Sequence, residues 1–89
     1  MTGWTLIVAG PAERVLRLLP ERSAMAVVEF MVGPLLDQPE RVGKPLLREL
    51  AGYHSARRGP YRIIYRIDDE AGTVNVIRIE HRSQAYRPR

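Results

Sequence analysis

The stretch Ala56–Ile67, ARRGPYRIIYRI, decides the fold. Tyr61, Ile63, Tyr65 and Ile67 recur at alternate positions, the two-residue period of a half-buried strand. Arg62, Ile64 and Arg66 then share the opposite face. Ahead of them RGPY is a turn, and the residues before it divide the same way. Ser55 and Arg57 form one set; His54, Ala56 and Arg58 form the other. One face of the hairpin therefore takes a covering layer, while the other is lined with guanidinium groups.

Working outward, strands are expected at about Tyr53 to Arg58, Tyr61 to Asp68 and Thr73 to Glu80, with DEAG as the second turn. Connections this short make the three antiparallel neighbours. In the last of them Val74 and Val76 alternate with Ile77 and Ile79 out of phase, which predicts a bulge or cover on both faces. Upstream, GWTLIVAG reads as a short strand with Trp4, Leu6 and Val8 on one face. GPAERVLRLLP reads as a helix, with Pro11 in its first turn and an apolar stripe of Ala12, Val15, Leu16 and Leu19. Pro20 ends it and opens a second helix through about Leu36, with Val28, Met31 and Leu35 as its inward positions. Gly33-Pro34 should kink or stop that helix, because proline forfeits a backbone hydrogen bond. DQPERVGKPL has the composition of a loop, and HRSQAYRPR is a basic tail. The order is β-α-α-β-β-β: an α+β single domain over residues 1–89, mainly antiparallel, with a helical hairpin on one sheet face and a basic C-terminal tail over 83–89.

Eighty-nine residues suit one domain with a modest core. There is no cysteine, which removes disulfides and thiolate metal sites and suits a reducing cytoplasm. No apolar run reaches the length of a membrane span, and no signal peptide is evident. Fourteen Lys+Arg against ten Asp+Glu give a net charge of +4, and Lys44 is the only lysine. Codon usage alone can produce that bias. Its physical consequence is a cationic surface of planar forks suited to phosphate and carboxylate, so the expected partner is anionic. Two histidines without a carboxylate cluster make no metal site, and no Gly-rich phosphate loop is present.

ARRGPYRIIYRIDD, a hydrophobic strand and then HRSQAYR resemble the RelE/ParE superfamily of toxin–antitoxin toxins. The pattern is an Arg-x-Gly-x-Tyr-Arg-x-x-Tyr hairpin followed by a His-Arg-x-x-x-Tyr end. VEFMVGPLLDQPERVGKPLLREL is similar to the actinobacterial RelE-like branch. The resemblance implies a cytoplasmic toxin that cuts messenger RNA in the ribosomal A site without metal or other cofactor. In that reaction the 2′-hydroxyl attacks the adjacent phosphate. It also implies an acidic, RelB-like cognate antitoxin, through which alone the toxin meets operator DNA. ParE-type relatives instead inhibit DNA gyrase without enzymatic activity, and a toxin whose catalysis has decayed would only bind its antitoxin.

On that resemblance Arg62 matches the arginine that stabilises the pentacovalent phosphate, and Arg82 a second phosphate contact or an aid to the leaving oxygen. Tyr86 matches the C-terminal tyrosine that stacks on a base or, alternatively, covers a sheet edge. The strand before the hairpin lacks the lysines of several relatives. That leaves His81, or else His54, to move protons, since an unperturbed imidazole suits the task; Glu80 is the other candidate, or else a salt-bridge partner. Arg57, Arg58, His54, Ser55 and Lys44 are the remaining candidate RNA contacts, Lys44 being either that or a solvated loop residue.

Overall fold

The computed structural model describes residues 3–85. Strand β1 (Thr5–Val8) leads into helix α1 (Gly10–Leu18) and helix α2 (Glu21–Phe30), which continues as a π-helical turn at Met31–Leu35. Helix α3 (Pro39–Val42), the two-residue strand β2 (Lys44–Pro45) and a 3-10 turn at Arg48–Leu50 follow. Strands β3 (Tyr53–Arg58), β4 (Tyr61–Asp68) and β5 (Thr73–His81) complete the sheet, and α4 (Arg82–Ala85) closes the described chain. The sheet order is β1-β5-β4-β3-β2, antiparallel except where β1 runs parallel to β5. The expected α+β architecture is thus the observed one, with two short elements, α3 and β2, inside the stretch that reads as loop.

The alternation in β4 sorts the sheet into two faces. Ile63 and Tyr65 are fully buried towards the helices, joined there by Ala56 from β3 and by Val74, Val76 and Ile79 from β5. The bulge foreseen in the last strand is real. Ile64 pairs with Arg78 but Tyr65 pairs with Val76, so Ile77 is the extra residue. That single insertion shifts the phase of β5 and returns Ile79 to the core face. Leu6 and Val8 of β1 pack against the same core, as do Val15, Leu16 and Leu19 from α1 and its end.

In α2 the expected inward set needs one correction. Met31 and Leu35 are buried, but Val28 is 41% exposed and Val27 is buried in its place. Residues 27, 31 and 35 lie four apart and form one line along the helix, which puts residue 28 a step round the side. Pro34 does not break the helix. It has no N–H to give the carbonyl of Phe30, and the wider π turn takes up the missing bond.

Tyr65 shows how the core reaches the irregular segment. Its hydroxyl donates to the Pro39 carbonyl at 2.6 Å. Burial pushes this phenol up to about 12, while a hydrogen bond from the Gly43 backbone pulls the other way. Because the folded state holds the proton above the phenol's ordinary value of 10, this contribution is complete below pH 10. It fades as pH rises towards 12, by about 2 to 3 kcal/mol at the limit. Thermal melts from pH 9 to 12 should therefore show a loss of stability that Tyr65→Phe lacks, on top of the constant cost of leaving the Pro39 carbonyl without its donor.

Candidate functional site

The face of the sheet away from α1 and α2 carries the side chains set aside in the opening hairpin. Cross-strand pairing puts Arg57 opposite Arg62, Ser55 opposite Ile64, and Lys44 of β2 opposite Ser55. Partners in an antiparallel pair point the same way, so Lys44, Ser55, Arg57 and Arg62 share this face. Ile64 is buried here despite the missing helical cover. It sits at the centre of the sheet, between Ser55 and Arg78 across the strands and between Arg62 and Arg66 along its own.

Two local devices bring Arg82 to the same place. The hairpin turns at Gly59, whose φ of +58° is the left-handed conformation that glycine adopts without penalty. Pro60 follows with its fixed negative φ, the order a type II′ turn requires. Its carbonyl, freed of any strand duty, accepts the Arg82 backbone N–H at 2.7 Å. The end of β5 is thereby tied to the tip of the hairpin, and Arg82 opens α4 at the cavity that Arg62 also lines.

The result is a cavity of about 440 Å³ lined by Val42, Gly43, Lys44, Leu46, Ser55, Arg57, Pro60, Tyr61, Arg62 and Arg82. Its size falls within the roughly 300–1,000 Å³ of small-ligand sites. Among the described residues, four that line it are cationic and none is acidic. The Arg62 Nε donates to Ser55 Oγ at 3.0 Å, which fixes the guanidinium plane and leaves its terminal nitrogens for another acceptor. Glu80 lies opposite Arg62 in the sheet, yet it pairs with Arg78 at 3.1 Å. Among the described residues no carboxylate pairs with Arg57, Arg62 or Arg82. Like charges gathered this closely repel one another, and an anion seated between them removes the penalty.

Of the candidates read from the sequence, Arg57, Arg62, Arg82, Ser55 and Lys44 come together here. Others do not. His54 alternates to the helix side, where its ring stacks on Tyr65 at 5.4 Å and its Nδ1 is buried without a hydrogen-bond partner among the described residues. His81 likewise falls on the helix side of β5. It stands edge-on to Tyr61 and shares a hydrogen bond between its Nδ1 and Ser83 Oγ at 2.9 Å. Neither imidazole lines the cavity. Arg58 lines a separate, smaller groove with Arg22 and Ser23, which shares Pro60 and Tyr61 with the cavity. Tyr86 lies outside the described residues. The wall made by Val42, Gly43 and Leu46 had no signal in the sequence, because it exists only once β2 has paired with β3. No group of His, Cys, Asp or Glu among the described residues is arranged to hold a metal ion, and no helix among them is long and apolar enough to cross a membrane.

The class of protein built on this mixed sheet, with two helices on one face and a cationic pocket on the other, follows from comparison with known proteins. The family described as the ParE toxin of the type II toxin–antitoxin system, parDE, matches residues 9–86. Toxin RelG of Mycobacterium tuberculosis is 59% identical over 76 residues, covering 85% of this chain and 87% of RelG. Toxin RelE of the same organism is 52% identical over 80 residues, covering 90% of this chain and 82% of its own. Among solved structures, the toxin–antitoxin complex RelBE2 of M. tuberculosis holds a chain with a TM-score of 0.83 and 56% identity. That alignment covers 86% of the present chain and 95% of the other. The chain belongs to the RelE/ParE family of type II toxin–antitoxin toxins.

Proposed function

We propose that this toxin is a ribosome-dependent endoribonuclease that cleaves messenger RNA in the A site and so arrests translation. The observation that carries the reading is the convergence of Arg62 and Arg82, with Arg57 and Lys44, on one cavity that no carboxylate of the described residues lines. In the proposed reaction the 2′-hydroxyl of the messenger attacks the neighbouring phosphorus. Negative charge builds on the non-bridging oxygens, and the 5′-oxygen leaves. Arg62, braced by Ser55, grips those oxygens with its terminal nitrogens, and Arg82 grips the same phosphate from the end of β5. Guanidinium groups held in advance gain most where charge develops, because little rearrangement is left to do at the moment of reaction. Arg57 holds the flanking backbone, Lys44 adds its charge to the same cavity, and Tyr86 is assigned to the base beside the scissile linkage. The RelG and RelE names of the relatives support this branch of the family.

The same reading supplies a cognate antitoxin of the RelB kind, in line with the RelBE2 complex. An acidic segment laid across the cavity would neutralise the cations that the phosphate otherwise meets. The second reading is inhibition of DNA gyrase, favoured by the ParE description of the matching family. One experiment separates them. The purified toxin is added to ribosomes stalled with a defined codon in the A site, and in parallel to gyrase supercoiling a relaxed plasmid. Cleaved messenger with untouched supercoiling is expected. Intact messenger with blocked supercoiling would replace the proposal by the second reading, and inactivity in both assays would leave a toxin that only binds its antitoxin.

A further inference from the structure

Among the described residues, the cavity contains several charges but few groups able to move a proton. Arg57, Arg62 and Arg82 do not qualify, since guanidinium groups keep their protons in proteins. Val42, Gly43, Leu46 and Pro60 offer no titratable side chain. The Ser55 hydroxyl accepts from Arg62 Nε, and an alcohol with no base beside it among the lining residues does not give up its proton near neutral pH. The two imidazoles lie on the helix side of the sheet and outside the lining. Tyr61 is half-buried against the core, with its ring edge-on to His81, and it walls the cavity rather than standing on the open face. Lys44 remains. It is exposed, faces the same way as Ser55 through the β2–β3 pairing, and is the only primary amine of the side chains in the whole sequence.

We infer that Lys44 is the general acid of the cleavage reaction, a role that rests on the nuclease reading above. An alkylammonium is protonated at neutral pH and, unlike a guanidinium, can give that proton up. As the 2′-oxygen bonds to phosphorus and the P–O5′ bond breaks, the electron pair leaves on the 5′-oxygen. Lys44 transfers its proton to that oxygen, and the neutral amine recovers one from water. The proton of the 2′-hydroxyl passes to solvent, so the products are a 2′,3′-cyclic phosphate and a 5′-hydroxyl with charges balanced. What is fixed at Lys44 is the backbone, so the exposed side chain starts from a defined point at the edge of the cavity. Strand β2 is only two residues long, and the loop before it is locked to the core through Gly43 and the Tyr65 hydroxyl.

The test compares Lys44→Arg with the wild type on programmed ribosomes carrying two messengers. One has the ordinary scissile linkage, and the other has sulfur in place of the bridging 5′-oxygen. A thiolate leaves without protonation, so a general acid is dispensable on the second messenger. Lys44→Arg keeps the positive charge but not the transferable proton. It is expected to cut the ordinary messenger about 100-fold more slowly and the sulfur-bridged one within a few-fold of wild type. Equal cleavage of the ordinary messenger by both proteins would overturn the inference and leave the nuclease reading intact. So would equal losses on both messengers, which would mark Lys44 as a binding contact. A selective loss in Tyr61→Phe, with Lys44→Arg unaffected, would transfer the role to the phenol. Failure of the wild type to cut either messenger would refute the nuclease reading itself.

Discussion

Arg62→Ala is expected to reduce messenger cleavage by about 100- to 1,000-fold, the effect of removing one well-placed donor from a developing negative charge. Growth arrest on induction should disappear with it. Arg62 is half-buried, and among the described residues its side chain bonds to Ser55, so its removal opens no large hole in the core. The variant should keep its circular dichroism spectrum and its melting temperature within a few degrees. Arg62→Lys tests the geometry more finely. A lysine keeps the charge but loses the planar fork, and with it the bond that orients the group on Ser55. It should recover only a small part of the lost rate. Primer extension across the A-site codon reads both variants. A cutting rate in Arg62→Ala equal to wild type would remove this arginine from the chemistry.

Gly43→Ala should have the largest effect on stability for the smallest change in composition. Its backbone is extended, with φ −121° and ψ 176°, so no conformational penalty forbids a side chain. Space does. An added Cβ would press into the Tyr65 hydroxyl and lie 2.9 Å from the Ser55 carbonyl oxygen. The hydroxyl is held by Pro39 and the carbonyl belongs to the sheet, so neither is a flexible end that can move aside. Forcing a methyl group into such a site costs about 1 to 3 kcal/mol. The strain also pushes β2 away from β3, which displaces Lys44 from the cavity. Urea denaturation should show the loss of stability, and cleavage should fall with it. Pairing the change with Tyr65→Phe relieves the contact with the hydroxyl but not the one with Ser55, so the double variant should recover only part of the difference. A Gly43→Ala protein as stable and as active as wild type would mean that this loop is slack.

How much of this was readable beforehand depends on the range of the interactions. Alternation in Tyr61–Ile67 is local, and it correctly separated Arg62 and Arg66 from Ile63 and Tyr65. The conflict of phase between Val74–Val76 and Ile77–Ile79 was also local, and it announced the bulge at Ile77. Val27 was harder. Nearly every residue round α2 is apolar, so periodicity could not choose between Val27 and Val28 until the sheet supplied a direction. Gly43 and Lys44 looked like ordinary loop residues because what fixes them is Tyr65, 22 positions beyond Gly43. The histidines had the right chemistry for proton transfer, but a parity of one residue in each strand sends both to the helix side. Arg82 reached the cavity through a backbone hydrogen bond to Pro60, a link with no side-chain signature.

In the proposed reaction Arg62 and Arg82 hold one and the same phosphate. A double-mutant cycle on Arg62→Lys and Arg82→Lys, read as single-turnover cleavage on programmed ribosomes, addresses it most directly. Two groups acting on one phosphate should give a double variant far less impaired than the product of the single losses. Losses that multiply in full would show the two arginines acting independently, and the shared site would have to be abandoned.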